Sequence, residues 1–133
     1  MTVLVGYLPT ARGEAAFAAA LEEARRRGED LVVLNTPRSG ASVSTDAVGD
    51  EAVSGLRSRA AEAGIPLHVR RQAHEGDAAD ELLRVADEVD ASVVVIALRR
   101  RSSVGKLLMG STAQRVLLAA TRPVLAVRAP AAH

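Results

Sequence analysis

Three consecutive residues that could bind an anion, Gly110, Ser111 and Thr112, stand where a basic loop meets an apolar helical pattern. The start of a helix leaves backbone N–H groups without intrahelical partners and carries the positive end of the helix dipole, so phosphate and sulfate are stabilised there. The loop begins after an apolar run that ends at Ala97, and it carries three further cationic candidates for the same anion: Arg99, Arg100 and Lys106. The segment therefore predicts a phosphate-binding loop.

Charge is unevenly distributed along the chain, although the formal net charge is only +1. Residues 1–90 carry 10 basic and 16 acidic side chains, whereas residues 91–133 carry 7 basic and no acidic ones. The positive charge is concentrated around the predicted loop and favours an anionic partner there. The alternative interpretations are an ordinary solvated surface or pairing with acidic residues elsewhere in the fold.

Composition narrows the class of protein. The 133 residues, 48% of them apolar, fit a single domain over residues 1–133 with a substantial core. No apolar run approaches the roughly 20 residues that span a bilayer, so no membrane association is expected. The first residues lack a basic region followed by a cleavage pattern, which predicts no signal peptide. The absence of cysteine excludes disulfides and thiol chemistry, and we expect a cytoplasmic protein.

Short apolar runs alternate with segments of helical periodicity along the whole chain. The runs predict strands at residues 2–7, 31–35, 65–71, 92–97 and 123–127. The periodic segments predict helices at residues 13–27, 50–63, 77–89 and 112–120, the third of them capped by Asp77. This alternation predicts an α/β fold, a single doubly wound five-stranded parallel sheet with helices on both faces, in the order 3-2-1-4-5.

Ligands of doubly wound sheets bind at the carboxyl ends of the strands, at the point where the winding reverses. With the predicted order, this crevice lies between the first and fourth strands. The wall after the first strand is then formed by four consecutive residues: Tyr7, Leu8, Pro9 and Thr10. Residues 97–110, which contain the basic loop, form the opposite wall.

Several segments together match the pattern of a known family. They are residues 3–7, the turn His74-Glu75-Gly76-Asp77, and residues 110–117 leading to residues 122–127. Nearly the whole chain resembles the universal stress protein family. The resemblance implies a small sheet-centred α/β domain that is usually a homodimer. One branch of that family binds ATP through Gly-x2-Gly-x9-Gly-Ser/Thr after the fourth strand, with an Asp after the first strand, and another branch binds no nucleotide.

The chain matches this motif only at its phosphate end. Gly110 and Ser111 occupy the last two positions, whereas Ala97 and Arg100 replace the earlier glycines. Arg100 costs on the order of 1 kcal/mol if the backbone there needs a positive φ, but its guanidinium can bind phosphate in bidentate fashion. Leu8 stands at the Asp position and cannot accept a hydrogen bond from a base or ribose. The resemblance thus implies ATP or another adenine nucleotide, with or without Mg²⁺, bound with weakened base selection.

Histidines and hydroxyls give no basis for catalysis. His68, His74 and His133 have no further ligand type clustered with them in the sequence, so no metal site is expected. Ser111 lacks a Gly-x-Ser-x-Gly elbow and a nearby histidine. We interpret the chain as a binding or regulatory module rather than an enzyme. An ATPase is a further possibility beside a binding module, although the loop shows no base or metal-ligating carboxylate.

Two other classes are disfavoured by the residues present. Tyr7 and Phe17 are the only aromatic residues, which leaves no stacking platform for a single-stranded nucleic acid. A response-regulator receiver would need acidic residues after the first and third strands, where Tyr7-Leu8 and Arg71-Gln72 stand.

The last strand is apolar on both faces although it is predicted at a sheet edge, where unpaired backbone groups invite association. It predicts a homodimer through four residues: Val124, Leu125, Ala126 and Val127. Coverage of the edge by a loop or by the tail is the alternative. Two functional hypotheses follow: a dimer that binds an adenine nucleotide, or a nucleotide-free dimeric interaction module of the same family, in which Gly110, Ser111 and Thr112 serve only as a turn and helix cap.

Overall fold

The computed structural model describes residues 1–37, 47–98 and 110–128. Within these ranges, strands and helices alternate as predicted: β1 (Thr2–Gly6), α1 (Ala11–Arg27), β2 (Asp30–Asn35), α2 (Asp50–Glu62), β3 (Leu67–Arg71), α3 (Ala78–Glu88), β4 (Ala91–Leu98), α4 (Ser111–Ala119) and β5 (Val124–Arg128). Most of the loop predicted after β2, residues 38–46, lies outside the described ranges.

The strands form one parallel sheet in the order β3-β2-β1-β4-β5, which confirms the predicted fold class and order. β1 occupies the centre, with Val5 paired to Val33 of β2 on one side and to Val95 of β4 on the other. The chain moves outward from β1 through β2 to β3, then returns to the other side of β1 at β4. The reversal point therefore lies between β1 and β4.

Alternate residues of the strands pack against helices on opposite faces of the sheet. Val3 and Val5 belong to a core cluster that includes Phe17 of α1 and Leu56 of α2. Leu4 points to the other face and belongs to a second cluster with residues of α3 and α4, among them Leu82, Val85 and Val116. Burial on both faces explains why β1 and β4 read as unbroken apolar runs rather than as alternating ones.

Local capping residues decide where the helices begin and end. Thr10 caps α1 and its Oγ1 accepts a hydrogen bond from the Gly13 N–H at 3.1 Å, so the helix begins at Ala11 rather than near Gly13 as predicted. Gly28, with φ of +65°, ends the same helix, as its sequence position indicates. Asp77 caps α3, where its Oδ1 accepts a hydrogen bond from the Ala79 N–H at 2.8 Å, which confirms the predicted cap.

None of the helices in the described ranges is both long and apolar enough to cross a membrane.

Candidate functional site

A cavity of about 630 Å³ opens at the carboxyl ends of the central strands. Leu8 and Thr10, which follow β1, contribute to one part of its wall. Ala97 of β4 and the first residues of α4 contribute to another. The structure therefore brings together, across about 90 residues of sequence, segments that the topology places on either side of the reversal point.

The start of α4 contributes backbone N–H groups to this cavity. Gly110 is the cap residue, with extended backbone angles of φ −67° and ψ 158°, and its carbonyl accepts a hydrogen bond from the Gln114 N–H at 3.0 Å. The N–H groups of Ser111, Thr112 and Ala113 precede that first intrahelical bond. Because Gly110 has no side chain, it does not cap these N–H groups, and none of the residues that the structure describes accepts a hydrogen bond from them.

The first turn of α4 also differs in charge from those of the other three described helices. Acidic residues stand in the first turns of α1, α2 and α3, where they interact favourably with the helix dipole. The first turn of α4 holds none. The positive end of this helix is thus not neutralised by its own carboxylates, which favours an anion in the adjoining cavity.

The four residues predicted to form the wall after β1 occupy different environments. Tyr7 is buried, with only 3% of its surface exposed, and Leu8 is half-buried; both line the cavity. Thr10 also lines it while it caps α1. Pro9 lies between them and is exposed. A Thr10 N–H bond to the Leu8 carbonyl, 2.8 Å long, folds these residues into a tight turn.

The tight turn depends on a glycine in the first turn of α1. A Cβ placed on Gly13 would stand 1.6 Å from the carbonyl oxygen of Leu8 and 2.8 Å from its nitrogen. Only a residue without a side chain allows the backbone to approach this closely. Gly13 therefore positions the cavity wall, a role that its place in a helical pattern did not reveal.

A polar network joins Tyr7, the residue directly after β1, to helices α1 and α2. The Tyr7 hydroxyl donates a short hydrogen bond to Glu14 Oε1, and Arg59 of α2 donates to Oε2 of the same carboxylate. The Arg59 guanidinium also lies 4.7 Å from the centre of the Phe17 ring, a cation–π contact. The network holds the Tyr7 hydroxyl against α1 and, through Glu14, against α2.

The same network shifts the titration of its members. Burial, together with the hydrogen bond to Glu14 and the charge of that carboxylate, raises the pKa of Tyr7 to about 12. Burial alone would raise the pKa of Glu14, but the hydrogen bonds from Tyr7 and Arg59 outweigh it, so the pKa of Glu14 is lowered. Tyr7 stays protonated and donating throughout the physiological range.

Asn35 connects the end of β1 to the segment that leads into α2. Its amide nitrogen donates to the Tyr7 carbonyl at 2.9 Å, and its amide oxygen accepts from the Val48 N–H at 3.0 Å. It is 1% exposed and is the only buried polar side chain among the described residues. The two backbone partners fix the orientation of the amide, because one can only accept and the other can only donate.

Four polar residues that sequence reasoning did not assign to the site also line the cavity: Arg12, Thr36, His74 and Asp77. Arg12 lies in the first turn of α1, Thr36 follows β2, and the other two flank the turn between β3 and α3. The signal was present for His74 and Asp77, because their turn follows a strand and the carboxyl ends of parallel strands share one edge of the sheet.

Two of the basic residues of the C-terminal third are paired with α3 rather than directed at the cavity. Arg115 lies 2.9 Å from Asp80 and 3.8 Å from Asp77, and its hydrogen bond with Asp80 raises its pKa. Arg122 lies within 3.4 Å of Asp87 and 3.0 Å of Asp90. For these two arginines the structure supports the interpretation that the positive charge is paired with acidic residues elsewhere in the fold. Arg99, Arg100 and Lys106, the predicted phosphate ligands of the loop, lie outside the described residues.

In the part of the chain that the structure describes, no three His, Asp or Glu side chains cluster in a way that could hold a metal ion. The site is built instead from helix-start amides, a few polar side chains and an apolar floor that includes Leu82 and Ile96.

The strand order and the helices on both faces define a doubly wound α/β domain, with its cavity at the reversal point of the winding. Over residues 1–128 the sequence matches the model of the Universal stress protein family. The chain belongs to that family, which confirms the resemblance drawn from its motifs.

Relatives match this chain over almost its whole length. A Universal stress protein of Mycolicibacterium smegmatis is 39% identical over 126 residues, which cover 95% of this chain and 96% of the relative. The solved structure of a universal stress protein from Archaeoglobus fulgidus has a TM-score of 0.76 at 31% identity, covering 96% of this chain and 98% of that one. The structure of a universal stress protein from Archaeoglobus fulgidus in complex with dAMP has a TM-score of 0.69 at 26% identity, covering 96% of this chain and 97% of that one.

Proposed function

We propose that this chain is a binding module for an adenine nucleotide, whose phosphate is held by the backbone N–H groups of Gly110, Ser111 and Thr112. The observation that carries the proposal is the cavity at the carboxyl ends of β1 and β4, with the start of α4 in its wall. A phosphate there would accept hydrogen bonds from N–H groups that have no acceptor among the described residues, at a helix end without an acidic side chain in its first turn.

The comparison with the Archaeoglobus protein supports the same ligand class, because that protein was solved in complex with dAMP and shares the fold at 26% identity. A nucleoside monophosphate can be accommodated by a cavity of about 630 Å³, which falls in the usual range for small-molecule sites. Arg12 supplies a described cationic side chain at the same cavity, and Arg99, Arg100 and Lys106 of the loop are proposed to assist it.

The apolar side chain of Leu8 is expected to weaken recognition of the sugar. It lines the cavity at the position where the nucleotide-binding pattern has Asp, and an isobutyl group cannot accept a hydrogen bond from a ribose hydroxyl. We therefore expect little difference in affinity between ribose and deoxyribose forms of the same nucleotide.

Calorimetric titration of the whole chain with AMP, ADP and ATP, each with and without Mg²⁺, tests the proposal. Saturable binding in the micromolar to low millimolar range is the expected result, and it should weaken as salt is raised because the phosphate contacts are electrostatic. A matched pair of variants locates the site: Arg12→Gln should weaken binding, whereas Arg57→Gln, on an exposed position of α2, should not.

Absence of heat at millimolar nucleotide would overturn the proposal. It would favour the alternative of a nucleotide-free interaction module of the same family, whose α4 start serves only to begin a helix. Release of phosphate from ATP above a blank without protein, abolished by Ser111→Ala, would instead indicate an ATPase.

We propose further that two copies of the chain pair through β5. This strand forms one edge of the sheet, and Val124, Leu125 and Val127 are only half-buried there although they are apolar. A second copy would pair the free backbone edge and cover these side chains. Sedimentation equilibrium at micromolar concentration should give twice the chain mass, and a monomer would refute the pairing.

A further inference from the structure

The ring of His74 is held at one nitrogen by the residue that follows β2. Nδ1 lies 2.9 Å from the carbonyl oxygen of Thr36 and 3.1 Å from its hydroxyl. The backbone N–H of His74 is bound as well, to the carbonyl of Pro37 at 3.0 Å. Both the ring and the main chain of this residue are therefore anchored to the end of β2.

These contacts fix the tautomer of the neutral ring. A carbonyl oxygen can only accept, so the Thr36 carbonyl at 2.9 Å requires a proton on Nδ1. An unprotonated Nδ1 would instead place two acceptors against each other. With the proton on Nδ1, Nε2 of the neutral ring carries a lone pair and acts as a hydrogen-bond acceptor.

His74 lines the same cavity as the start of α4 and is anchored to the residues that follow β2. Thr36 follows β2, and β2 is separated from β4 by β1 alone. Neighbouring strands lie about 4.8 Å apart, so the carboxyl ends of β2 and β4 are roughly 10 Å apart along this edge of the sheet. That span suits a mononucleotide, with the phosphate at α4, the sugar over Leu8 and the base at Thr36 and His74.

We infer that His74 selects the base: its Nε2 accepts a hydrogen bond from the 6-amino group of an adenine bound in the proposed nucleotide site. A 6-oxo purine would present an acceptor at the same place and be disfavoured. Of the other charged groups at the cavity, the Arg12 guanidinium would favour a 6-oxo group. Asp77 already accepts from the Ala79 N–H at Oδ1, and its Oδ2 lies 3.8 Å from the Arg115 guanidinium. This inference rests on the proposed function and adds a base-reading residue to it, which restores part of the base selection that Leu8, in place of Asp, is expected to weaken.

The experiment compares AMP, IMP and purine riboside 5′-monophosphate, which lacks any group at position 6. The whole chain should bind AMP about fivefold to tenfold more tightly than the unsubstituted purine, as one lost hydrogen bond implies, and should bind IMP more weakly still. His74→Asn should remove this preference, because the shorter amide can keep the bond to Thr36 but does not reach the position of Nε2. His68→Asn is the matched control, because His68 is an exposed residue of β3 that does not line the cavity.

Each result is decisive. Equal affinities of the unaltered chain for AMP and the unsubstituted purine would overturn the inference and leave the proposed function standing. Loss of affinity in H74N that is equal for all three nucleotides would also overturn it, since His74 would then act on the sugar, the phosphate or the fold. If no nucleotide binds at all, the proposed function falls and the inference falls with it.

A measurement without ligand provides a second test. Nitrogen-15 spectra of the histidine side chains, with the His74 signals assigned by their loss in H74N, should show a protonated Nδ1 and an unprotonated Nε2 in the neutral ring. The opposite tautomer would leave no acceptor for the 6-amino group and would overturn the inference.

Discussion

The carbonyl oxygen of Leu8 lies 1.6 Å from the point where a Cβ on Gly13 would stand. Two backbone segments thus meet without any side chain between them, at the wall of the cavity. No rotamer change can relieve a clash between backbone and Cβ, so either the turn after β1 or the start of α1 must move when this residue changes.

Gly13→Ala is therefore expected to destabilise the fold by about 2 kcal/mol or more and to disturb ligand binding. Gly55→Ala provides the control, because Gly55 lies in α2 and a Cβ added there would meet nothing within 4 Å. That change should stabilise by about 0.5–1 kcal/mol, since alanine favours a helix over glycine. Urea unfolding measures both. Equal effects in the two variants would contradict the close approach.

Ionisation of Tyr7 should lower the stability of the fold at alkaline pH. Its pKa is about 12 in the folded chain against 10.0 when unfolded, so its contribution is complete below pH 10 and is lost as the pH rises to 12. The loss should be about 2 kcal/mol. Tyr7→Phe should be less stable at neutral pH but should lack most of this decline, as measured by urea unfolding across that window.

The composition of the chain makes that titration easy to follow. Tyr7 is its single tyrosine, it has no tryptophan, and Lys106 is its single lysine. The ultraviolet absorbance of tyrosinate therefore reports Tyr7 alone, and a midpoint near pH 10 in the folded chain would contradict the buried network.

Asn35 should be required for stability because its amide nitrogen and its amide oxygen each form a hydrogen bond with a backbone group. Asn35→Ala leaves the Tyr7 carbonyl and the Val48 N–H without these partners and should cost about 2–4 kcal/mol. Asn35→Asp keeps an acceptor for the Val48 N–H, but while it is ionised it places a carboxylate oxygen against the carbonyl oxygen of Tyr7. We expect N35D, unlike N35A, to regain stability as the pH falls and the carboxyl becomes a donor. Identical pH profiles for the two variants would contradict this arrangement.

Asp77 should oppose binding of an anion in the proposed site. Asp77→Asn keeps an oxygen that can cap α3 and removes a negative charge from the cavity wall. Affinity for AMP should rise by about fivefold, on the order of 1 kcal/mol, and the gain should shrink with added salt. Adenosine, which has no phosphate, should show no such gain. Asp87→Asn, at the other end of α3, is the control with the same change in charge.

Arg12 should attract the phosphate of a nucleotide bound in the same cavity. Arg12→Gln removes a half-buried guanidinium from the wall and should weaken binding of AMP by about fivefold, while Arg57→Gln should leave it unchanged. Calorimetry at two salt concentrations measures both variants. A uniform loss in the two would indicate a general effect of net charge rather than a contact at the site.

Periodicity and composition were sufficient to predict the architecture, because each strand and helix of this chain carries an unambiguous pattern. Burial of β1 and β4 on both faces made their runs continuous, and Asp77 marked the start of α3. The edges of elements were less well predicted: α1 begins at Ala11 because Thr10 accepts from an N–H three residues on, a contact that periodicity does not encode.

The sequence predicted the two walls on either side of the reversal point, but not the polar residues that other elements contribute to the cavity. The start of α4 follows from a run of consecutive residues, whereas Thr36 and His74 meet through pairing between β2 and β3. Gly13 looked like the ordinary first residue of a helix, and Arg12 stood just before the predicted helix. Their roles depend on how closely the turn after β1 approaches the start of α1, and the sequence pattern does not report that distance.

The central position of β1 has a consequence for synthesis of the chain. Val3 pairs with Val93, so one edge of the first strand stays open until β4 has been made. During that interval a nascent chain displays three consecutive apolar residues, Val3, Leu4 and Val5, on an unpaired edge, the kind of template that recruits foreign strands. The sheet can therefore be completed only after β4 has left the ribosome, and until then the open edge of β1 is exposed to pairing with strands of other chains.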